Sequence, residues 1–132
     1  MNETLYRIAL TMVPNIGPVL SKNLIGYCGN AQAVFAEKKS ALSKIPGIGT
    51  LKAKEISASK VLPRAEEELL FIEKNGIQVL FFLDENYPRR LRHFDYSPLI
   101  LYYRGNQDLN PHRTVGIVGT RTPSPQGRMI TE

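Results

Sequence analysis

A single cysteine, Cys28, leaves no partner for an intramolecular disulfide and points to a reducing compartment. It sits in Gly-Tyr-Cys-Gly-Asn and reads as a packed structural thiol, not a reactive one. His93 and His112 are too few and too isolated for a metal site, so no metal and no cofactor is expected. Tryptophan is absent altogether. The longest apolar runs are about five residues, far short of the ~20 needed to cross a bilayer, and no membrane partner is expected. The first residues carry an acid and no basic segment ahead of their apolar part, unlike a secretory signal. The expected location is cytoplasmic. Neither a Ser/His/Asp triad nor a paired-carboxylate pocket is legible, which argues against an enzyme.

What remains is an ordinary globular composition with a net charge of +5 that is unevenly spread. Residues 1–60 carry eight basic side chains against three acids, which is the whole excess. Residues 61–85 are acidic, with Glu66, Glu67 and Glu68 in a row. Residues 86–132 hold seven arginines against three acids. Two basic segments flanking an acidic one suggest a polyanion partner.

A self-similarity organises the first sixty residues. Val-Pro-Asn-Ile-Gly-Pro-Val-Leu-Ser-Lys-Asn-Leu (13–24) aligns with Ile-Pro-Gly-Ile-Gly-Thr-Leu-Lys-Ala-Lys-Glu-Ile (45–56). Pro14/Pro46, Ile16/Ile48, Gly17/Gly49 and Lys22/Lys54 are identical, and three further pairs are apolar in both copies. Helix, tight glycine-containing turn, helix, made twice, resembles the tandem helix-hairpin-helix motif. Gly47 and Gly49 would let the turn take positive φ and bring bare N–H groups near a phosphate. The following helix would add its dipole, and Lys52 and Lys54 salt-sensitive contacts blind to sequence. Asn15 in the first copy tolerates the left-handed region, but Pro18 removes an N–H there. DNA contact is therefore expected at Gly47, Gly49, Lys52 and Lys54, and a structural role for the first copy. The competing reading is a five-helix protein-interaction or architectural unit.

Beyond residue 61, Leu62–Gly76 reads as a helix with Leu69, Leu70, Phe71 and Ile72 on its buried side. Three strands are expected at 77–83, 98–105 and 114–121, the last closing on a Gly119-Thr120 turn. Ser124 reads as an N-cap, with Pro125 at the first position of a helix. The fold class expected is α/β: an all-α tandem helix-hairpin-helix domain (1–61), then the incomplete first part of a Rossmann-like parallel-sheet domain (62–132).

The stretches Glu-Asn-Tyr-Pro-Arg-Arg-Leu-Arg, Ser-Pro-Leu-Ile-Leu-Tyr-Tyr-Arg-Gly and Val-Gly-Ile-Val-Gly-Thr-Arg-Thr-Pro-Ser-Pro-Gln-Gly resemble the DNA-processing protein A family (DprA/Smf). The resemblance spans the chain but only the front part of such a protein, which implies an N-terminal fragment cut inside its Rossmann-like domain. It implies a non-enzymatic single-stranded-DNA-binding protein that forms homo-oligomers and delivers the strand to the RecA recombinase in natural transformation. By position, Gly119, Thr120 and Arg121 would form the phosphate-binding turn, with Arg121 on a backbone phosphate, and Ser124 and Gly127 would open the helix. Gln126 stands where the family usually has Tyr, so an aromatic role there is not carried over. The enzymatic alternative, a helical interaction module on a nucleoside-monophosphate hydrolase, would need a Gly-Gly-x-Gly-Thr-x-x-Glu stretch that these residues lack.

Overall fold

The computed structural model describes residues 3–131. Helix α1 (Glu3–Met12) buries Tyr6, Ile8, Ala9 and Leu10. After the turn at residues 13–17 the chain enters α2 (Pro18–Cys28), with Pro18 at the start of the helix, where its missing N–H costs nothing. α3 (Ala31–Ala36) is opened by two side chains. Asn30 Oδ1 accepts the Ala33 N–H at 2.7 Å, and Glu3 Oε1 accepts the Ala31 N–H at 2.9 Å, tying α3 to α1. The short α4 (Lys39–Leu42) leads through residues 43–48 to α5 (Gly49–Ala58). Ala53 and Ile56 are the buried side of α5, and Ala53, fully buried, lets a neighbour approach closely.

α6 (Val61–Lys74) packs along α1. Its buried positions are Ala65 and Ile72, seven residues apart and so on one helical stripe, with Leu69 partly buried between them. Leu70 and Phe71 lie off that stripe and are 66% and 57% exposed, which corrects their expected burial. The helix ends at Asn75-Gly76. Gly76 takes φ 62°, and the Ile77 N–H returns to the Ile72 carbonyl at 3.0 Å, a left-handed terminus that glycine permits at little cost.

Strand β1 (Gln78–Phe81) pairs with β2 (Ile100–Tyr103), Gln78 opposite Tyr103 and Phe81 opposite Ile100. The pairing is antiparallel, not the parallel arrangement expected. A parallel return needs a crossover that carries the chain back along the sheet, usually a full α-helix. The connection between these strands holds only α7 (Arg89–Arg92), a single turn. A third strand does not form at 114–121 either. Those residues pair with neither strand, and Val115, Ile117 and Val118 are 90%, 77% and 96% exposed. An apolar run makes a strand only when a neighbour takes up its ladder hydrogen bonds, and none is placed beside this one. α8 (Pro125–Thr131) follows.

Buried side chains from α1–α6 and from the strand pair form one continuous cluster, running from Ile8, Leu24 and Ile56 to Phe81, Leu99 and Ile100. Two cations stitch its edge. The Arg7 guanidinium lies 3.9 Å from the Phe81 ring centroid, and Lys22 reaches from α2 to the 94–97 turn. Among the described residues no helix is long and apolar enough to cross a membrane.

Candidate nucleic-acid interface

The second repeat presents a turn with the backbone that its glycines allow. Gly47 and Gly49 have φ 83° and 62°. The equivalent of Gly47 in the first copy, Asn15, also stands at φ 60°, whereas Gly17 is extended at φ −84°. The copies therefore share one left-handed position and differ at the other. They also touch. A Cβ built on Gly47 would come 2.9 Å from Leu20 Cδ2, and Asn15 Nδ2 donates to Glu55 Oε1 at 3.0 Å.

α5 has no side-chain cap, and Gly49, Thr50 and Leu51 at its start are exposed, so its first N–H groups face solvent at the positive end of the helix. Lys52 curls back, its ammonium donating to the Gly47 carbonyl at 2.9 Å. This holds the turn closed and keeps a positive charge at its mouth. Lys54 is exposed and has no partner among the described residues.

Lys22, the counterpart of Lys54 in the first copy, is used differently. Its ammonium donates to Ser97 Oγ at 2.8 Å and to the Asp95 carbonyl at 2.9 Å. Burial lowers its pKa from the ordinary lysine value, with Asp95 pulling the other way. That charge is committed to holding α2 against the loop before β2. The repeat alone gave no sign of it.

The second set of residues lies on the exposed segment. Thr120 Oγ1 donates to the Thr122 carbonyl at 2.9 Å, bending the chain just past Gly119. Ser124 Oγ accepts the Gly127 N–H at 3.1 Å and its carbonyl accepts the Arg128 N–H at 3.1 Å, so Ser124 opens α8 as an N-cap does. Arg121 is exposed and without a partner among the described residues. No hydrogen bond or ion pair among the described residues joins this set to Gly47, Gly49, Lys52 and Lys54. Nor do three or more His, Cys, Asp or Glu side chains converge among the described residues as a metal site requires.

Tyr87 and Asn110 are functional to the scaffold in a way the sequence did not disclose. The Tyr87 side chain is fully buried and its hydroxyl donates to the Pro98 carbonyl at 2.7 Å. Asn110 accepts the Arg89 N–H at 2.7 Å and donates to the Tyr87 carbonyl at 3.3 Å. Together they fasten α7 and the 109–114 loop beside the strand pair.

The family described as DNA recombination-mediator protein A matches residues 78–132. Protein Smf of Synechocystis sp. is 30% identical over 137 aligned residues, covering 98% of this chain and 34% of that protein. The chain thus spans about a third of the length of that curated relative. No solved structure matches significantly. Tyr87-Pro88, the Leu99–Gly105 strand region and the Gly119-Thr120-Arg121 turn lie inside the matched span, and the likeness to Smf runs through the helical repeat as well. The chain is thus similar to the DNA recombination-mediator protein A (DprA/Smf) family, through the match over residues 78–132 and through its likeness to Smf over nearly its whole length.

Proposed function

We propose that this chain is the front part of a single-stranded-DNA-binding recombination mediator that hands DNA to RecA in natural transformation. The observation that carries the reading is Arg121. Its guanidinium is exposed and unpartnered, and it sits between a Gly119-Thr120 bend and a Ser124-capped helix inside the matched family span. A planar guanidinium beside small, hydroxyl-bearing residues suits a backbone phosphate and carries no demand on base identity. In this reading Gly119, Thr120, Arg121, Ser124 and Gly127 form the principal DNA site. The residues belong to a Rossmann-like domain of 62–132 that works in the cytoplasm as a homo-oligomer, without cofactor and without catalysing a reaction. Residues 1–61 are a tandem helix-hairpin-helix domain that shares its core with α6 and the strand pair, and its second turn offers a subsidiary phosphate contact through Gly47, Gly49, Lys52 and Lys54. The left-handed glycines and the uncapped start of α5 support that contact.

Fluorescence anisotropy of labelled oligo-dT against a duplex control, across a salt series, tests the reading. Salt-dependent binding that prefers the single strand and falls with Arg121→Ala is the expected result. Loss only in Lys52→Glu/Lys54→Glu would move the site to the helical repeat. Absence of binding at low salt would refute DNA binding by this chain.

A further inference from the structure

A groove of about 540 Å³ lies between α7 and the 109–114 loop, within the ~300–1,000 Å³ range of ligand-sized clefts. Arg89, Arg90, Phe94 and His112 are among the residues that line it. Its walls are fixed in place. The Arg90 guanidinium donates to the His112 carbonyl at 3.0 Å and to Thr114 Oγ1, and Asn110 bonds the Arg89 N–H. The Arg89 guanidinium is exposed and has no partner among the described residues.

Phe94, on the groove wall, forms a pair with Tyr96 just beyond it. Phe94 and Tyr96 are 47% and 71% exposed, yet their ring centroids lie 5.5 Å apart with planes at 34°. Neither ring belongs to the buried cluster. Lys22, through the Phe94 and Asp95 carbonyls, holds the turn that carries them. The only acid between residues 88 and 97 is Asp95, against Arg89, Arg90 and Arg92. Arg92 is spent on the Asp84 carbonyl.

From this juxtaposition we infer that Phe94 and Tyr96 form a stacking platform for the bases of a single-stranded nucleic acid, with Arg89 taking the adjoining phosphate. A solvent-exposed aromatic pair outside the buried cluster, beside a free guanidinium, suits a polymer that alternates flat rings with anions. An acidic peptide supplies the anions but not the rings. Thr114, also on the groove wall, begins the segment that leads to Arg121. The inference rests on the single-stranded-DNA reading and adds to it a base-contacting site.

The test compares oligo-dT with an abasic oligonucleotide of the same length and charge, on the wild-type chain, Arg89→Ala and Phe94→Leu/Tyr96→Leu. Wild type binds oligo-dT more tightly than the abasic strand. The double leucine variant loses about five- to tenfold for oligo-dT and nothing for the abasic strand, while Arg89→Ala weakens both. A base preference that survives the double variant overturns the platform and leaves DNA binding at Arg121 standing. No binding of either strand by wild type overturns both proposals. A polyglutamate peptide that displaces the abasic strand, with oligo-dT binding no better than either, replaces the platform by a plain anion groove. Should the double variant unfold, photo-cross-linking of 4-thiothymidine oligonucleotide to wild type decides. Adducts on Phe94 or Tyr96 support the platform, and adducts confined to other residues overturn it.

Discussion

At Gly47 the backbone holds φ 83° while the space where a Cβ would stand is closed by Leu20. The left-handed region costs an L-residue about 1–2 kcal/mol. Gly47→Ala should therefore lower unfolding stability by at least that amount in urea titration, since Leu20 must also shift. Gly47→Asn should lose less, since Asn15 already occupies the matching position at φ 60°. Tyr87→Phe removes a hydroxyl that donates to the Pro98 carbonyl at 2.7 Å, and about 1 kcal/mol of stability should go with it. Cys28 gives a pH signature. Burial, with Glu37 adding to it, raises the thiol pKa in the folded state. From the ordinary thiol value upward the unfolded chain then holds fewer protons than the folded one, so stability falls as pH rises through that window. Alkylation of Cys28 in the native protein should accordingly lag behind that of the denatured chain at neutral pH.

Between elements, the connections matter more than the helices and strands they join. The repeat was legible in the sequence because its turns demand glycine or asparagine at fixed places, and Asn15, Gly47 and Gly49 take positive φ as their residue types allow. The α6 terminus at Asn75-Gly76 was legible for the same reason. The direction of strand pairing was not, because an apolar run such as Val79–Phe81 looks alike in parallel and antiparallel sheets. Nor was the fate of residues 115–118, since pairing depends on a neighbour and not on the run itself. The candidate site divides similarly. Ser124 as a helix-opening cap follows from local chemistry, while the use of Lys22 as a strut to residues 94–97 depends on a contact between residues 75 positions apart. Limited trypsin digestion should reflect this organisation. Cleavage should come first at Arg113 and Arg121, in the exposed stretch, while bonds after Arg7 and Lys22 resist until the core opens.

At the level of the whole molecule, charge and core are arranged independently. The basic excess of residues 1–60 and the arginines after residue 86 come from different stretches of the chain, whereas the apolar side chains behind them form one cluster. DNA held by both stretches would show a steeper salt dependence than with either alone, because each phosphate neutralised releases counterion. Arg121→Ala should therefore reduce the slope of log affinity against log salt by about one unit. Combining it with Lys52→Glu/Lys54→Glu should flatten that slope further.

The continuity of the core also bears on how far this chain can be taken apart. Ala65 and Ile72 of α6 share one buried cluster with α1, and Phe81 of β1 lies under Arg7. A boundary drawn after residue 61 would cut through side chains that shield one another from water. The helical repeat is thus not a cassette that can be lifted out and grafted elsewhere. A transplant that kept its native stability would have to carry α6 and the strand pair with it, and heating the intact chain should give one calorimetric transition through its core.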